Sequence, residues 1–437
     1  MNLRTYVSLD IGTTSIKVIV AEKIRDQINV LGIGNQKSEG VSKGIIVDID
    51  RAASAIRKAI IQAEEKSGTK ISDVIVGLPS NKLKIENCNG IVAISEQSRE
   101  INDLDVRKVA GSAITKNIPP EREIVDILPD EFIVDGFNGI KDPRGMVGVR
   151  LEMRARMITG PKTLIYNTKK AVIKAGLKVK AAVISSLAQG KTILDDGEQD
   201  FGSILIELGG GQSTASVIHD HKLKFSTIDN EGGEFITKDI SVVLNTSLES
   251  AERIKRDYGK ADASKASEEA EFPVNIVGHS KPIRVSEKYL SEIIQARLEQ
   301  ILDNIYSSLN NVSALDLPGG IILTGGVAAL PDIASLIANK FNTNVRLYFP
   351  NQMGLRNPSF STPLSLIIYC ANMSETQIIV RSALNSEFFE KNKEKRESID
   401  YDDSIDSETK DSLSEKEENK FLKSKEKIKN FFNGFFD

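Results

Sequence analysis

The sequence predicts an α/β protein of two related halves around a cleft, with a small α+β insertion in the first half and a C-terminal amphipathic helix. Three observations carry that prediction. Apolar, β-branched runs end in glycine turns at 10–14, 207–211 and 324–326. The strand, turn, strand layout of 6–33 returns at 203–229, and such an internal repeat points to two halves facing each other. The chain closes on "KIKNFFNGFFD", aromatic and basic, after a long acidic stretch.

With 437 residues the chain is long enough for two to four folded units. It is 40% hydrophobic and 27% charged with a net charge of −4, a balance that gives no reason to expect a nucleic-acid partner. Cys88 and Cys370 stand far apart and outside any metal-ligand spacing, so they read as buried thiols in a reducing cytosol. The first apolar run is broken at once by Asp10 and Gly12, which excludes a signal peptide. No stretch approaches the roughly 18 uninterrupted apolar residues of a membrane-spanning helix.

Taken in order, residues 6–23 read as strand, tight turn, strand around Gly12. A strand and a helix follow, the helix capped by Asp50 and carrying Ala55, Ile56, Ala59 and Ile60 on one face. "ISDVIVGLPSNKLKI" is a buried strand ending at Gly77-Leu78-Pro79, where the chain crosses into an insertion at 82–160, strands with one helix near 103–116. The second half runs strand, glycine turn, strand, hairpin and strand over 203–229. Helices then follow at "GGEFITKDISVVL", "SLESAERIKRDYG" and 286–309, and a strand, glycine pair and helix at "GGIILTGGVAALPDIASLIANKF".

The glycine turns carry the chemistry. Without Cβ atoms, Gly12, Gly209, Gly210, Gly211, Gly325 and Gly326 let backbone N–H groups close on phosphate oxygens, and the hydroxyls of Thr13 and Thr14 add donors. Asp10 and Glu207, one at the start of each of the first two turns, suit a magnesium ion held mostly through waters. Two such hairpins face to face would clamp phosphates from both sides; a side chain placed at Gly210 or Gly325 is expected to collide with the ligand, and Gly325→Asp to abolish its binding while leaving the fold intact. "GKT" at 190–192 lacks the earlier glycine of a P-loop and reads as helix. His219 and His221 flank Asp220 in a hairpin turn, and no catalytic triad can be assembled from the 3 histidines of the chain.

"SLDIGTTSIKV", "ELGGGQSTASVI" and "GIILTGGVAALPDI" resemble the phosphate-1, phosphate-2 and adenosine motifs of the actin, sugar-kinase and heat-shock-chaperone superfamily. "AERIKRDYG" is similar to the chaperone helix that holds adenine and ribose. The resemblance implies an actin-like ATPase fold and ATP with Mg2+ as cofactors, and it assigns nucleotide binding also to Lys17, Gly233, Glu252, Lys255 and Arg256. "PRGMVGVRLEMRARMITG" and "GGEFITKDISVVLNTSLESAERIK" look specifically like FtsA, the bacterial division protein that ties FtsZ filaments to the membrane. That resemblance runs from residue 1 to 437 and implies these boundaries: a first-half core at 1–81 and 161–195, the insertion at 82–160, and a second-half core at 196–228 and 306–384. A smaller subdomain occupies 229–305, an acidic linker 385–418 and a membrane-targeting helix 419–437. It implies as partners the FtsZ C-terminal peptide, further copies of the chain, membrane lipid and other division proteins, at the cytoplasmic face of the membrane at the septum. Arg297 is the candidate for an acidic group on that peptide, against the alternative of an intrahelical pair with neighbouring glutamates. Two departures from the superfamily pattern, Glu207 in place of Asp and Ala215 in place of a second Asp, point to ATP binding with weak or absent hydrolysis; no catalytic residue stands out. A kinase of the sugar-kinase branch would need a catalytic Asp at a substrate cleft, and a chaperone would need a peptide-binding β domain after the ATPase.

The tail is two things. Residues 397–418 hold ten acidic residues against Lys410 and Lys416, without apolar periodicity, the composition of a tether. On a helix of 100° per residue, Ile428, Phe431, Phe432, Phe435 and Phe436 share a face, with Lys420, Lys423 and Lys427 off it and Lys425 within it; this is the pattern of a helix lying in a membrane interface, against the alternative of one docked in a protein groove.

Overall fold

The computed structural model describes residues 4–94, 99–115, 118–278 and 281–384. The acidic tether and the terminal helix with its phenylalanines lie outside the described residues.

The first half is a sheet of five strands. β1 (Arg4–Ile11), β2 (Ser15–Ile24) and β3 (Gln27–Lys37) form an antiparallel meander, and β6 (Asp73–Leu78) and β13 (Lys178–Ile184) add in parallel, giving the order β13-β6-β1-β2-β3. Between β3 and β6 lie a two-residue ladder, β4 (Val41–Ser42) with β5 (Ile45–Ile46), and helix α1 (Ile49–Ser67). The cap of α1 corrects the expectation: Asp48, not Asp50, is extended and accepts from the Arg51 N–H. Asp50 already lies in the first turn, where its charge meets the positive helix end. The predicted face Ala55, Ile56, Ala59 and Ile60 is buried against the sheet, and α3 (Lys162–Lys174) packs beside it.

The second half repeats this topology strand for strand. β14 (Ser203–Leu208), β15 (Ser213–His219) and β16 (Lys222–Asp229) form the meander, and β19 (Ile321–Thr324) and β20 (Val345–Leu347) add in parallel, in the order β16-β15-β14-β19-β20. Alternation along these strands puts Ile206, Leu208, Ala215 and Leu323 into the second-half core. Helix α9 (Ile333–Phe341) follows β19 and closes this core. α6 (Gly233–Val243), α7 (Leu248–Tyr258), the hairpin of β17 (Glu271–Val274) and β18 (Ile283–Ser286), and the long α8 (Glu287–Asn310) form a smaller subdomain on the same core.

The insertion has a sheet of order β10-β9-β12-β7, from β7 (Lys84–Ala93), β9 (Arg122–Val134), β10 (Phe137–Ile140) and β12 (Arg150–Pro161). A second ladder pairs β8 (Arg99–Glu100) with β11 (Val147–Gly148). α2 (Asp103–Ala113) buries Val106 and Val109 with Phe132, Leu151, Met153 and Met157 of the sheet.

Four helices link these bodies. α4 (Ser185–Thr192) carries the "GKT" segment, helical as expected, and α5 (Asp196–Phe201) leads into β14. α10 (Ser361–Ala371) packs on α4 and on the first-half sheet, with Leu364 and Ile367 against Ile19 and Ala21. α11 (Glu375–Ser382) sends Val380 and Ala383 into the core of the insertion. This corrects the grouping of 306–384 with the second-half core. Its last third returns to the first half, because Leu364 and Ile367 are buried against the first-half sheet and Val380 and Ala383 in the core of the insertion.

Candidate functional site

The first two glycine turns are built alike. Gly12 N–H donates to Ser15 O (3.1 Å), and Gly209 N–H donates to Gln212 O (3.0 Å). Each closes a hairpin that opens with an acidic strand end, Asp10 paired with Lys17 in register and Glu207 with Thr214. The two tips meet: a Cβ on Gly210 would lie 2.4 Å from Thr14 Cγ2, and one on Gly211 would lie 2.4 Å from Thr13 Oγ1. Only glycine allows this approach. The Gly44 N–H donates to Thr13 Oγ1 (2.9 Å), and Gly44 abuts the Gln212 side chain, so the β4–β5 turn roofs the junction.

The third turn differs. Gly325 has φ +94°, and a Cβ there would sit 2.4 Å from Leu208 O. The fold itself requires this glycine, so the expectation that a side chain at Gly325 would spare the fold is corrected. At Gly326 the nearest atom to a Cβ is Ser359 Cβ at 3.8 Å, and the position has room.

Behind the tips, Asp10, Gly12, Gly44, Glu207, Gln212 and Thr362 help to line a cavity of about 90 Å³. Desolvation pushes the Asp10 carboxyl up, opposed by Lys17; desolvation also pushes Glu207 up, and the charge of Asp10 adds to it. Two carboxyls raised in one recess are what a divalent cation would relieve. Gln212 Oε1 is buried with no hydrogen-bond partner among the described residues, an acceptor left for a donor such as a metal-bound water. Among the described residues no group of three or more His, Cys, Asp or Glu could grip a metal directly. Lys17 is buried and donates to Ser15 Oγ (2.7 Å). Ala215 is packed in the second-half core, so the missing second carboxylate has no counterpart in the cleft.

The adenosine-side residues form a tight knot. The buried Lys255 spends three protons on Gly233 O (2.9 Å), Thr237 Oγ1 (2.7 Å) and Glu252 Oε2 (2.6 Å). Burial lowers the Lys255 amine, while Glu252, disfavoured by burial, is held ionised by Lys255 and Arg256. Arg256 Nε donates to Glu252 Oε1 (2.7 Å) from an exposed position. Gly233 N–H donates to Gly209 O (2.9 Å) and Glu234 N–H to Gly210 O (2.8 Å). The second glycine turn thereby caps α6, and Gly233 acts on the cleft through that contact.

Arg297 corrects the reading of an intrahelical pair with neighbouring glutamates. Nε and Nη2 donate to the two oxygens of Asp239 (2.6 and 2.9 Å), and Nη1 donates to Glu231 Oε2 (2.8 Å) and Gln300 Oε1 (2.7 Å). It therefore clamps α8 to α6 rather than pairing with glutamates along its own helix, and these bonds use four of its five N–H donors. His221 stands in the β15–β16 turn near Asp196 (3.8 Å), as a turn histidine was expected to. Sequence reasoning missed Gly44, Gln212, Gln189 and Thr362. Gln212 adjoins the glycine run and was within reach of a motif argument; Thr362 meets Glu207 across 155 positions, and no local pattern announces that.

Comparison with known proteins agrees with this architecture. The family described as "Cell division protein FtsA" matches residues 204–365, and the "SHS2 domain inserted in FTSA" matches residues 80–159. Cell division protein FtsA of Enterococcus hirae is 55% identical over 382 residues, covering 87% of this chain and 86% of the relative. That of Bacillus subtilis (strain 168) is 42% identical over 376 residues, covering 86% of each. Among solved structures, a chain of the PilM-PilN type IV pilus biogenesis complex superposes with TM-score 0.56 at 15% identity, over 83% of this chain and 97% of its own. MreB5 of Spiroplasma citri bound to ADP superposes with TM-score 0.52 at 13% identity, over 86% and 97%. The repeated five-strand sheets are thus those of the actin-like ATPase fold, and the chain belongs to the FtsA family of cell-division proteins.

Proposed function

We propose that the protein binds ATP with Mg2+ between its halves, assembles with further copies of itself, and tethers FtsZ filaments to the cytoplasmic face of the membrane at the division septum. The observation that carries the nucleotide part is the tip-to-tip meeting of the two glycine turns over Asp10 and Glu207. Thr13, Thr14 and the turn amides would hold phosphates. Asp10 and Glu207 would orient the waters of the cation, which supplies charge neutralisation when bound, and Lys17 would balance both carboxylates. The subdomain division that fits this reading is a first-half core that includes 355–371, the insertion with α11, a second-half core, and the smaller subdomain at 229–305. The FtsZ peptide would dock on that smaller subdomain, which Arg297 keeps rigid. The terminal phenylalanines would enter the lipid interface and recruit other division proteins to the membrane with the filament.

Gly326→Asp is the cleaner test of the nucleotide site, since a Cβ fits there. Calorimetric titration is expected to show ATP binding lost with the circular dichroism spectrum and melting temperature unchanged. Unchanged affinity in that folded variant would remove the third turn from the site. For the anchor, sedimentation with anionic liposomes is expected to show ATP-enhanced pelleting that Phe432→Glu nearly abolishes. Pelleting by a chain truncated after Glu418 would place the anchor elsewhere.

A further inference from the structure

Glu207 is one methylene longer than the aspartate usual at its position, and the structure shows what restrains the extra length. Glu207 Oε1 accepts from Thr362 Oγ1 (2.6 Å), and that hydroxyl in turn accepts from Gln189 Nε2 (2.8 Å). A hydroxyl has one proton. With Gln189 donating into it, the Thr362 proton is committed to Glu207. Gln189 is 1% exposed and Thr362 is 4% exposed, so neither partner is easily replaced by bulk water.

The relay also has a definite place in the fold. Gln189 lies on α4, Thr362 in the first turn of α10, and these two helices pack on each other where the halves join. The residue before Thr362 reaches the other strand end of the second half, because Thr324 Oγ1 donates to Ser361 Oγ (2.7 Å). Ser80 Oγ and Ser186 Oγ, 2.6 Å apart, stitch the start of α4 to the loop after β6. The side chain that directs Glu207 is therefore rooted on helices that hold the halves together, not on the strand that carries Glu207.

We propose that Thr362 and Gln189 are positioning residues for Glu207, fixing its carboxylate toward the cation that accompanies the nucleotide and making cation affinity depend on how α4 and α10 pack. The proposal rests on the cleft being an ATP–Mg2+ site. Loss of the hydroxyl releases a three-torsion side chain into several rotamers. The nucleotide itself keeps its contacts with the glycine turns. The signature is a split: ATP affinity in EDTA stays as in wild type, while the gain in affinity on adding Mg2+ shrinks.

The test is calorimetric titration of ATP into the full-length protein, with Mg2+ and with EDTA, for wild type, Thr362→Val, Thr362→Ser and Gln189→Met. Loss of one hydrogen bond to a charged group corresponds to roughly tenfold, and that is the expected fall of the Mg2+-dependent gain in Thr362→Val. Thr362→Ser restores it, and Gln189→Met, which keeps the hydroxyl but frees its direction and removes the bond that Gln189 also makes to Glu207, lowers it. A general packing defect would instead lower affinity equally with and without Mg2+, and that result overturns the proposal. So does a folded Thr362→Val with the wild-type Mg2+ gain, which leaves the cleft assignment standing. If Thr362→Val does not fold, Gln189→Met decides, and a wild-type gain there overturns the relay. Wild-type protein that binds no ATP overturns the cleft reading and this proposal together.

Discussion

Gly325 and Gly326 are adjacent and look interchangeable in sequence, yet they answer to different constraints. Gly325→Ala must hold an alanine at φ +94° with its Cβ against Leu208 O; such strain costs roughly 1–3 kcal/mol. Gly326→Ala meets nothing closer than 3.8 Å. Thermal unfolding is expected to show a clear fall for the first and little change for the second; equal melting temperatures would contradict this account of the turn. Cys370 offers a second residue-scale test. Burial pushes its thiol up to about 11, so at pH 8 only about one part in a thousand is the reactive thiolate. Cys88 is buried on β7. Native protein is expected to resist thiol reagents at pH 8 and to react at both cysteines once unfolded. Rapid labelling of Cys370 in the native state would show that α10 opens.

At the scale of elements, α11 is held by a charge pair that solvent hardly reaches. Arg381 donates through Nε and Nη2 to both oxygens of Asp126, which is 0% exposed on β9. Removing one member of such a pair costs roughly 3–5 kcal/mol, whereas removing both costs far less. Arg381→Met is expected to lower the unfolding midpoint sharply and Asp126→Asn with Arg381→Met to recover most of it; strict additivity in the double-mutant cycle would disprove the coupling. A second tie reaches α11 from the loop before β11. Arg144 bonds Asp142 (2.7 Å), Asp103 of α2 (3.3 Å) and Glu375 of α11 (3.1 Å). Its hydrogen bonds hold the Asp142 carboxyl down to about 2, below the ordinary 3.8. A depressed folded value means that the stabilisation is complete above 3.8 and is lost as pH falls toward 2. Amide protection in this loop, taken relative to the intrinsic exchange rate at each pH, is expected to fall over that window, and Arg144→Gln to remove that fall. These ties explain what was and was not legible in the sequence. Periodicity located α1, α2, α6, α7 and α8, because each hides an apolar stripe on a neighbouring surface. The allegiance of α10 and α11 was not legible, because Leu364, Ile367, Val380 and Ala383 state that they are buried but not against what. The cleft was half legible on the same ground: its glycine turns are local motifs, and its Gln189–Thr362–Glu207 chain is a tertiary event.

For the molecule as a whole, two sheets share one strand order, and the chain enters and leaves the insertion at one place. Lys84 pairs with Thr159, so the insertion enters and leaves at adjacent points. Excising 82–160 looks simple by that measure, but it strips Val380 and Ala383 of their core and Arg381 of Asp126. The excised chain is expected to elute as aggregate in size-exclusion chromatography. Ending it additionally at residue 374 is expected to restore a monodisperse species that still binds ATP, and aggregation of both would place the damage in the seam itself. The seat of α11 has one further consequence, which is mechanical. The chain beyond Leu384 continues from a helix bolted to the insertion, so tension applied there runs through Arg381 and Asp126 into the strands of the insertion sheet. From there it reaches β16 of the second-half sheet across side-chain contacts, Arg156 Nη1 to Leu223 O (3.4 Å) and Lys222 Nζ to Asp130 Oδ1 (3.5 Å), and through the packing of Leu223 with Ile158. A load on that segment would therefore be carried first by the insertion and shared with the second half across the contacts at β16.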